Sequence, residues 1–166
     1  MAHICSFAPV SNNDARVLIL GSMPGKESLR QNQYYAHPSN AFWKIMGELV
    51  GARPSLPYAE RLRILKSSGI ALWDVLGSCE REGSLDSDIR KESANDFASF
   101  LKQHPHITRV FFNGAKSEHS FKRFVLGKQS LPPLTYQRLP STSPAHAGMR
   151  YEEKLKVWKE VIGSPR

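Results

Sequence analysis

"RVLILGSMPGKES", residues 16 to 28, decides the fold. Val17, Leu18, Ile19 and Leu20 are apolar in succession, as expected of a strand in a parallel sheet with helices on both faces. Gly21 and Gly25 then break the run and bracket Ser22, Met23 and Pro24. Such a loop invites a phosphate-cradle reading, which its spacing rejects. A P-loop places four residues between its first glycine and a Gly-Lys pair followed by Ser or Thr. Here three residues separate the glycines, and Glu27 follows Lys26 where a magnesium-binding hydroxyl belongs. That carboxylate would repel phosphate, and Pro24 has no N–H to offer an anion. The glycines instead allow a tight turn and the close approach of a flat ligand to the N–H groups of Ser22 and Met23.

Three more apolar segments read as strands: "GIALWDVL" (69–76), "ITRVFFNG" (107–114) and "LTYQRLP" (134–140). Helical spacing fills the intervals. Phe42, Ile45, Met46 and Leu49 share one face, with Ser39 as a candidate cap and Gly51 as the stop. A second helix follows Pro57, two more lie in "ANDFASFLKQH" and "AKSEHSFKRFVLG", and a last one aligns Tyr151, Leu155, Trp158 and Ile162. "GSCEREGSLDSDIRKES" (77–93) reads as the longest polar loop. This alternation predicts a single α/β domain over residues 1–166. Its expected form is a three-layer α/β/α sandwich around a mainly parallel four-stranded sheet. Ligands of such sheets bind beyond the carboxyl ends of the strands, at Gly21–Gly25, Trp73–Asp74, Asn113 and Ser141–His146.

Composition narrows the function. No apolar run approaches a membrane span, and the first ten residues lack the pattern of a signal peptide. Cys5 and Cys79 have no metal-type spacing, so free thiols and a cytoplasmic setting are expected, with no metal and no cofactor. The net charge is +8. Residues 1–100 carry 11 basic and 11 acidic side chains, whereas residues 101–166 carry 12 and 4, so the whole excess lies in the C-terminal part. A lopsided basic surface suits a polyanion such as nucleic acid, although a merely solubilising role remains open at this level.

"QNQYYAHPSNAFWKIM" (31–46) crowds aromatic rings and small amides together, as a pocket for a flat heterocycle requires. Taken with "GSMPG", "VFFNG" and "LPSTSPAHAG", in that order along residues 16–150, it resembles the uracil-DNA glycosylase superfamily, and most of all its hypoxanthine (deoxyinosine)-DNA glycosylase branch. The resemblance implies a monomeric enzyme acting on double-stranded DNA with a damaged base. It would flip out a deaminated base, expected to be hypoxanthine, and hydrolyse the N-glycosidic bond to leave an abasic site. No lysine matches a catalytic position, so no Schiff base or lyase step is expected. Met23 stands where many members carry the catalytic Asn or Asp. The resemblance therefore moves catalysis to Asn40, and the chemistry adds His37 for charge stabilisation or a phosphate contact. It implies a base pocket of Gly21, Ser22, Met23, Phe42 (stacking) and Asn113 (edge reading). It also implies a DNA-contacting loop of Ser141, Thr142, Ser143, Pro144 and His146, while the basic C-terminal part separately suggests Lys116 as a phosphate contact. Leu139 stands where many members have histidine.

Chemistry supports these roles. Breaking an N-glycosidic bond builds positive charge on the sugar and negative charge on the base, and aimed dipoles in a dry site stabilise both. Neutral asparagine is a poor base, which assigns Asn40 to positioning. Plainer roles stay open. Phe42 has core spacing, Asn40 and Asn113 suit a helix entrance and a strand-end turn, and residues 141–144 suit a polar turn. Asp74, the only acid at these strand ends, is a secondary acid–base candidate. Two rival functions also remain: a uracil or G:U-mismatch glycosylase, and a DNA-binding module without catalysis.

Overall fold

The apolar run of residues 17–20 is buried throughout and forms the centre of a parallel sheet. A computed structural model describes residues 2–163. In chain order the elements are β1 (Ala2–Cys5), β2 (Val17–Gly21), α1 (Lys26–Gln31), α2 (Phe42–Val50), α3 (Tyr58–Ser67), β3 (Ile70–Asp74), β4 (Leu76–Arg81) and β5 (Arg90–Ala94). They continue with α4 (Phe97–Gln103), β6 (Arg109–Asn113), α5 (Ala115–Phe124), β7 (Thr135–Leu139) and α6 (Tyr151–Trp158). The main sheet has the order β3-β2-β6-β7, every pair parallel. Val17 pairs with Ile70 and Arg109, which brings Gly21 and Asp74 level at one edge, with Asn113 one residue beyond Phe112, the partner of Leu20.

Strand alternation divides the core into two layers. Leu18, Leu20, Ala71, Trp73, Val110 and Phe112 face Phe97, Phe100 and Leu101 of α4 and Phe121 of α5. Val17, Ile19, Ile70, Leu72 and Phe111 face Phe42, Ile45 and Met46 of α2, Leu65 of α3 and Trp158 of α6. This is the three-layer α/β/α sandwich with a four-stranded parallel sheet that the sequence predicts. The connections leaving the neighbouring strands β2 and β6 run to opposite faces, which opens a crevice at their carboxyl ends. Among the described residues, no helix is long and apolar enough to cross a membrane.

Two local expectations need correction. Residues 77–93 are not a polar loop: β4 and β5 form a hairpin that pairs with β1 in a separate antiparallel sheet, order β1-β4-β5. With few apolar residues and one wet face, these strands lack the strong signal of the central sheet. Ser39 does not cap α2. The Asn40 side chain performs the entrance role, its Oδ1 accepting from the Phe42 N–H at 3.0 Å. Both cysteines are free thiols.

Candidate active site

Gly21 ends β2 at the floor of the crevice, and its missing side chain is a geometric necessity. A Cβ there would lie 2.6 Å from Asp74 Oδ1 and 3.0 Å from the Tyr35 hydroxyl. Two polar groups, from β3 and from the segment before α2, thus close over the Gly21 backbone. Asp74 is buried, its Oδ2 has no hydrogen-bond partner, and the Tyr35 hydroxyl is likewise unpartnered. Burial, reinforced by the nearby Asp86 charge and opposed by Arg81, pushes the Asp74 carboxyl up to about 7. Burial also raises the Tyr35 hydroxyl, with the Asp74 charge adding to it. The Asn113 amide pulls the other way, although no hydrogen bond of good geometry closes on the phenolic oxygen. Tyr35 holds a left-handed backbone (φ 54°), which strains a non-glycine residue, so the packing around it must hold the conformation.

The loop after Gly21 is braced by the hairpin that sequence reasoning missed. Ser22 Oγ donates to Asp86 Oδ1 at 2.6 Å, the Lys26 N–H donates to Ser84 Oγ at 2.8 Å, and the buried Arg81 donates to the Pro24 carbonyl. Met23 packs its side chain into the apolar layer beside α4 and α5, so only its backbone can face a ligand. The N–H groups of Ser22 and Met23 bond no other described residue.

Across the crevice, Asn113 is engaged with the 140–148 loop. Its Oδ1 accepts from the Thr142 N–H at 2.9 Å, and its Nδ2 donates to Thr142 Oγ1 at 2.9 Å, leaving one N–H and one lone pair. The Thr142 carbonyl accepts from the Ala41 N–H at 3.0 Å, next to Asn40. Thr142 is buried, and its backbone and side chain hold Asn113. Trp158 and Lys154 anchor the loop by donating to the Pro140 and His146 carbonyls. Gly114 (φ 92°) lets Ser141 pack directly against the backbone. Ser143 is half-buried, and Pro144 and His146 are exposed at the tip.

Phe42 is fully buried. Tyr35 stacks on its face at 4.1 Å and 22°, with Trp43 and Trp158 edge-on around it. Phe42 is thus enclosed, and the half-buried Tyr35 is the ring that lines the cleft. Sequence spacing gave Phe42 a place in the core, and the second tyrosine of "QNQYYAHP" was the available signal for the exposed ring.

Tyr35 also lines an open cleft of about 570 Å³ together with His37, Asn40, Lys44, Arg61 and Tyr151. The Asn40 Oδ1 is held by the Phe42 N–H, so its Nδ2, which has no partner among the described residues, is the atom it offers the cleft. His37 Nδ1 accepts from the Ser39 N–H at 3.0 Å, leaving Nε2 to face outward. Lys44 lies 4.1 Å over the Tyr151 ring. The Lys116 ammonium pairs with Glu92 at 2.6 Å in a partly buried position. Lys122 and Arg138 both approach Glu118. Among the described residues, no group of three or more His, Cys, Asp or Glu side chains could hold a metal ion.

Residues 8–162 match the family model for the uracil DNA glycosylase superfamily. The chain belongs to the uracil-DNA glycosylase superfamily. It is 43% identical over 112 residues to a protein of Methanosarcina barkeri named hypoxanthine DNA glycosylase, covering 67% of this chain and 71% of that one. A protein of the same name from Methanosarcina acetivorans is 40% identical over the same span and coverage. Among solved structures, the solution NMR structure of an M. acetivorans protein described as a candidate uracil DNA glycosylase superposes with a TM-score of 0.81. That match has 32% identity and covers 97% of both chains. As a superfamily member related to these proteins, the chain is a DNA N-glycosylase.

Two outcomes follow for the glycosylase floor. Gly21→Ala forces the buried Asp74 and Tyr35 apart, so single-turnover base release should fall about 10- to 100-fold while the circular-dichroism spectrum stays native. A rate within threefold of wild type contradicts the close approach. The second outcome concerns pH. The native state holds the Asp74 proton up to about 7, whereas the unfolded chain releases it near the ordinary 3.8. The folded protein therefore binds the extra proton between these values, and stability falls as pH rises through that window. Urea unfolding at pH 5 and pH 8 should show a drop in wild type about 2–3 kcal/mol larger than in Asp74→Asn. Equal drops contradict the raised carboxyl.

Proposed function

We propose that this glycosylase removes hypoxanthine from deoxyinosine in double-stranded DNA, as a single-domain monomer acting in the cytoplasm, and leaves an abasic site. The observation that carries the reading is the inward packing of Met23. The loop after β2 directs no polar side chain other than Ser22 toward the crevice, and Ser22 is tied to Asp86. The free amide nitrogen of Asn40, on the cleft wall, is then the group suited to orient water or the sugar. The names of the two Methanosarcina relatives support hypoxanthine as the base.

In this reading the flipped purine stacks on Tyr35, which takes the part that the sequence resemblance gave to Phe42. Its edge meets the Ser22 and Met23 N–H groups at Gly21 and the remaining donor and acceptor of Asn113. The amide matches the N1–H and O6 of hypoxanthine. Asn40 Nδ2 donates toward the sugar or the attacking water. It acts by orientation and dipole, because an amide takes up a proton poorly. His37 Nε2 faces the phosphate backbone, and the exposed tip at Pro144 and His146, backed by Ser141 and Ser143, enters beside the vacated stack. Flipping costs a few kcal/mol and is easiest at a weak pair, which favours the lesion before any chemistry.

The deciding experiment incubates the protein with duplexes carrying one deoxyinosine, deoxyuridine or deoxyxanthosine and scores alkali-labile sites. Deoxyinosine should be cut most rapidly. No abasic product at deoxyinosine with enzyme in excess rejects the reading, and faster uracil release transfers it to a uracil glycosylase. Asn40→Ala should slow hypoxanthine release about 100-fold with lesion binding retained; an unchanged rate removes Asn40 from the mechanism.

A further inference from the structure

Asp74 is the one buried acid at the carboxyl edge of the main sheet, and nothing in the scaffold uses its carboxyl. Its backbone carbonyl accepts from Asn95 Nδ2 at 2.8 Å, but Oδ2 has no partner and Oδ1 points over the bare Gly21 backbone. The residue is 3% exposed. A buried polar atom left unbonded is destabilising, so an orphan beside Gly21 needs an explanation. The groups around it come from several elements. Arg81 of β4 is itself buried, with Nε and Nη1 unpartnered and one nitrogen on the Pro24 carbonyl. Asp86 of the hairpin is held by Ser22, and Tyr34 and Tyr35 approach from the segment before α2. One cation and one anion stand near Asp74 with two neutral phenols.

We propose that Asp74 is the proton donor to the departing purine. The inference rests on the hypoxanthine reading and deepens it. A purine seated over Gly21 takes the place of the Tyr35 hydroxyl beside Asp74 as that ring tilts to stack on the base. When the C1′–N9 bond breaks, its electron pair leaves with the base, and the Asp74 O–H proton passes to N3 or N7. Water adds its oxygen to C1′ and releases a proton to solvent, and solvent later returns one to Asp74. The sum is nucleotide plus water giving abasic sugar plus neutral hypoxanthine. A purine keeps basic lone pairs on N3 and N7 after N9 carries the sugar. Uracil keeps none on its ring nitrogens, since N1 holds the sugar and N3 a hydrogen. An acid at this place therefore accelerates purine departure and does little for uracil, which makes Asp74 a determinant of substrate class as well as of rate. The raised carboxyl keeps the acid form available near neutral pH, the condition a general acid needs.

The test is single-turnover release of hypoxanthine from a deoxyinosine–thymine duplex between pH 5.5 and 9, for wild type and Asp74→Asn. Asparagine has nearly the same shape and cannot give up a proton at these pH values. Wild type should lose rate about tenfold per pH unit above roughly 7, and Asp74→Asn should be about 100-fold slower at pH 6 with no falling limb. Its affinity for a duplex with an abasic-site analogue should stay within about threefold, which separates chemistry from folding and binding. A variant within about threefold of wild type at pH 6 overturns the assignment. So does a slow variant that keeps the wild-type falling limb, the signature of a purely structural role. A wild-type protein inactive on deoxyinosine at every pH overturns the proposed function and this inference with it.

Discussion

Everything at the carboxyl edge of the sheet depends on the absence of a side chain at Gly21. Parallel register brings the ends of β2 and β3 level, so Gly21 lies beside Asp74. A carboxylate oxygen and a phenolic hydroxyl come to within about 3 Å of where a Cβ would begin. Such closeness is possible only over bare backbone, and there a flat base can also approach main-chain N–H groups. The glycine that first suggested a phosphate cradle therefore serves a different end. It lets a carboxyl from the neighbouring strand and a phenolic hydroxyl close directly over the main chain.

Two supports keep that floor in shape. On one side the β4–β5 hairpin holds the loop after Gly21 through Asp86, Ser84 and Arg81. On the other, three hydrogen bonds through Thr142 join Asn113 to Ala41, at the helix entrance beside Asn40. Fixed dipoles of this kind need no rearrangement as charge develops, which is how a site without a strong base can still stabilise a glycosyl cation and a departing base. The buried Asp74, its carboxyl pushed up to about 7 chiefly by burial, adds a titratable group to that floor.

The central sheet was legible because its strands are apolar on both faces, a pattern that few other structures tolerate. The hairpin was not, because Leu76–Arg81 and Arg90–Ala94 interleave buried and wet positions with few apolar residues, a pattern shared with loops. The places of Gly21 and Asn113 at strand ends and of Asn40 at a helix entrance could be read from their motifs. The burial of Phe42 beneath Tyr35 could not, since it turns on a left-handed backbone at Tyr35 that no residue type announces. The pairing of Lys116 was hidden for a related reason. A charge count cannot see that Glu92, 24 residues earlier, holds it. Asp74 was visible as the single acid ending an apolar run, and only its burial and orphaned oxygen raised it above a surface carboxylate.

Two places compete for the flipped base: the floor over Gly21, and the outer cleft lined by Lys44, Arg61 and Tyr151, with Tyr35 between them. Backbone and side-chain amide NMR shifts distinguish them most directly. The comparison is between a duplex carrying a non-hydrolysable 2′-fluoro-deoxyinosine and the same duplex without the lesion. Base reading over Gly21 predicts lesion-specific shifts at the N–H groups of Ser22, Met23 and Asp74 and at the Asn113 side-chain amide. Lesion-specific shifts confined to Lys44, Arg61 and Tyr151, with the Gly21 floor silent, would contradict it.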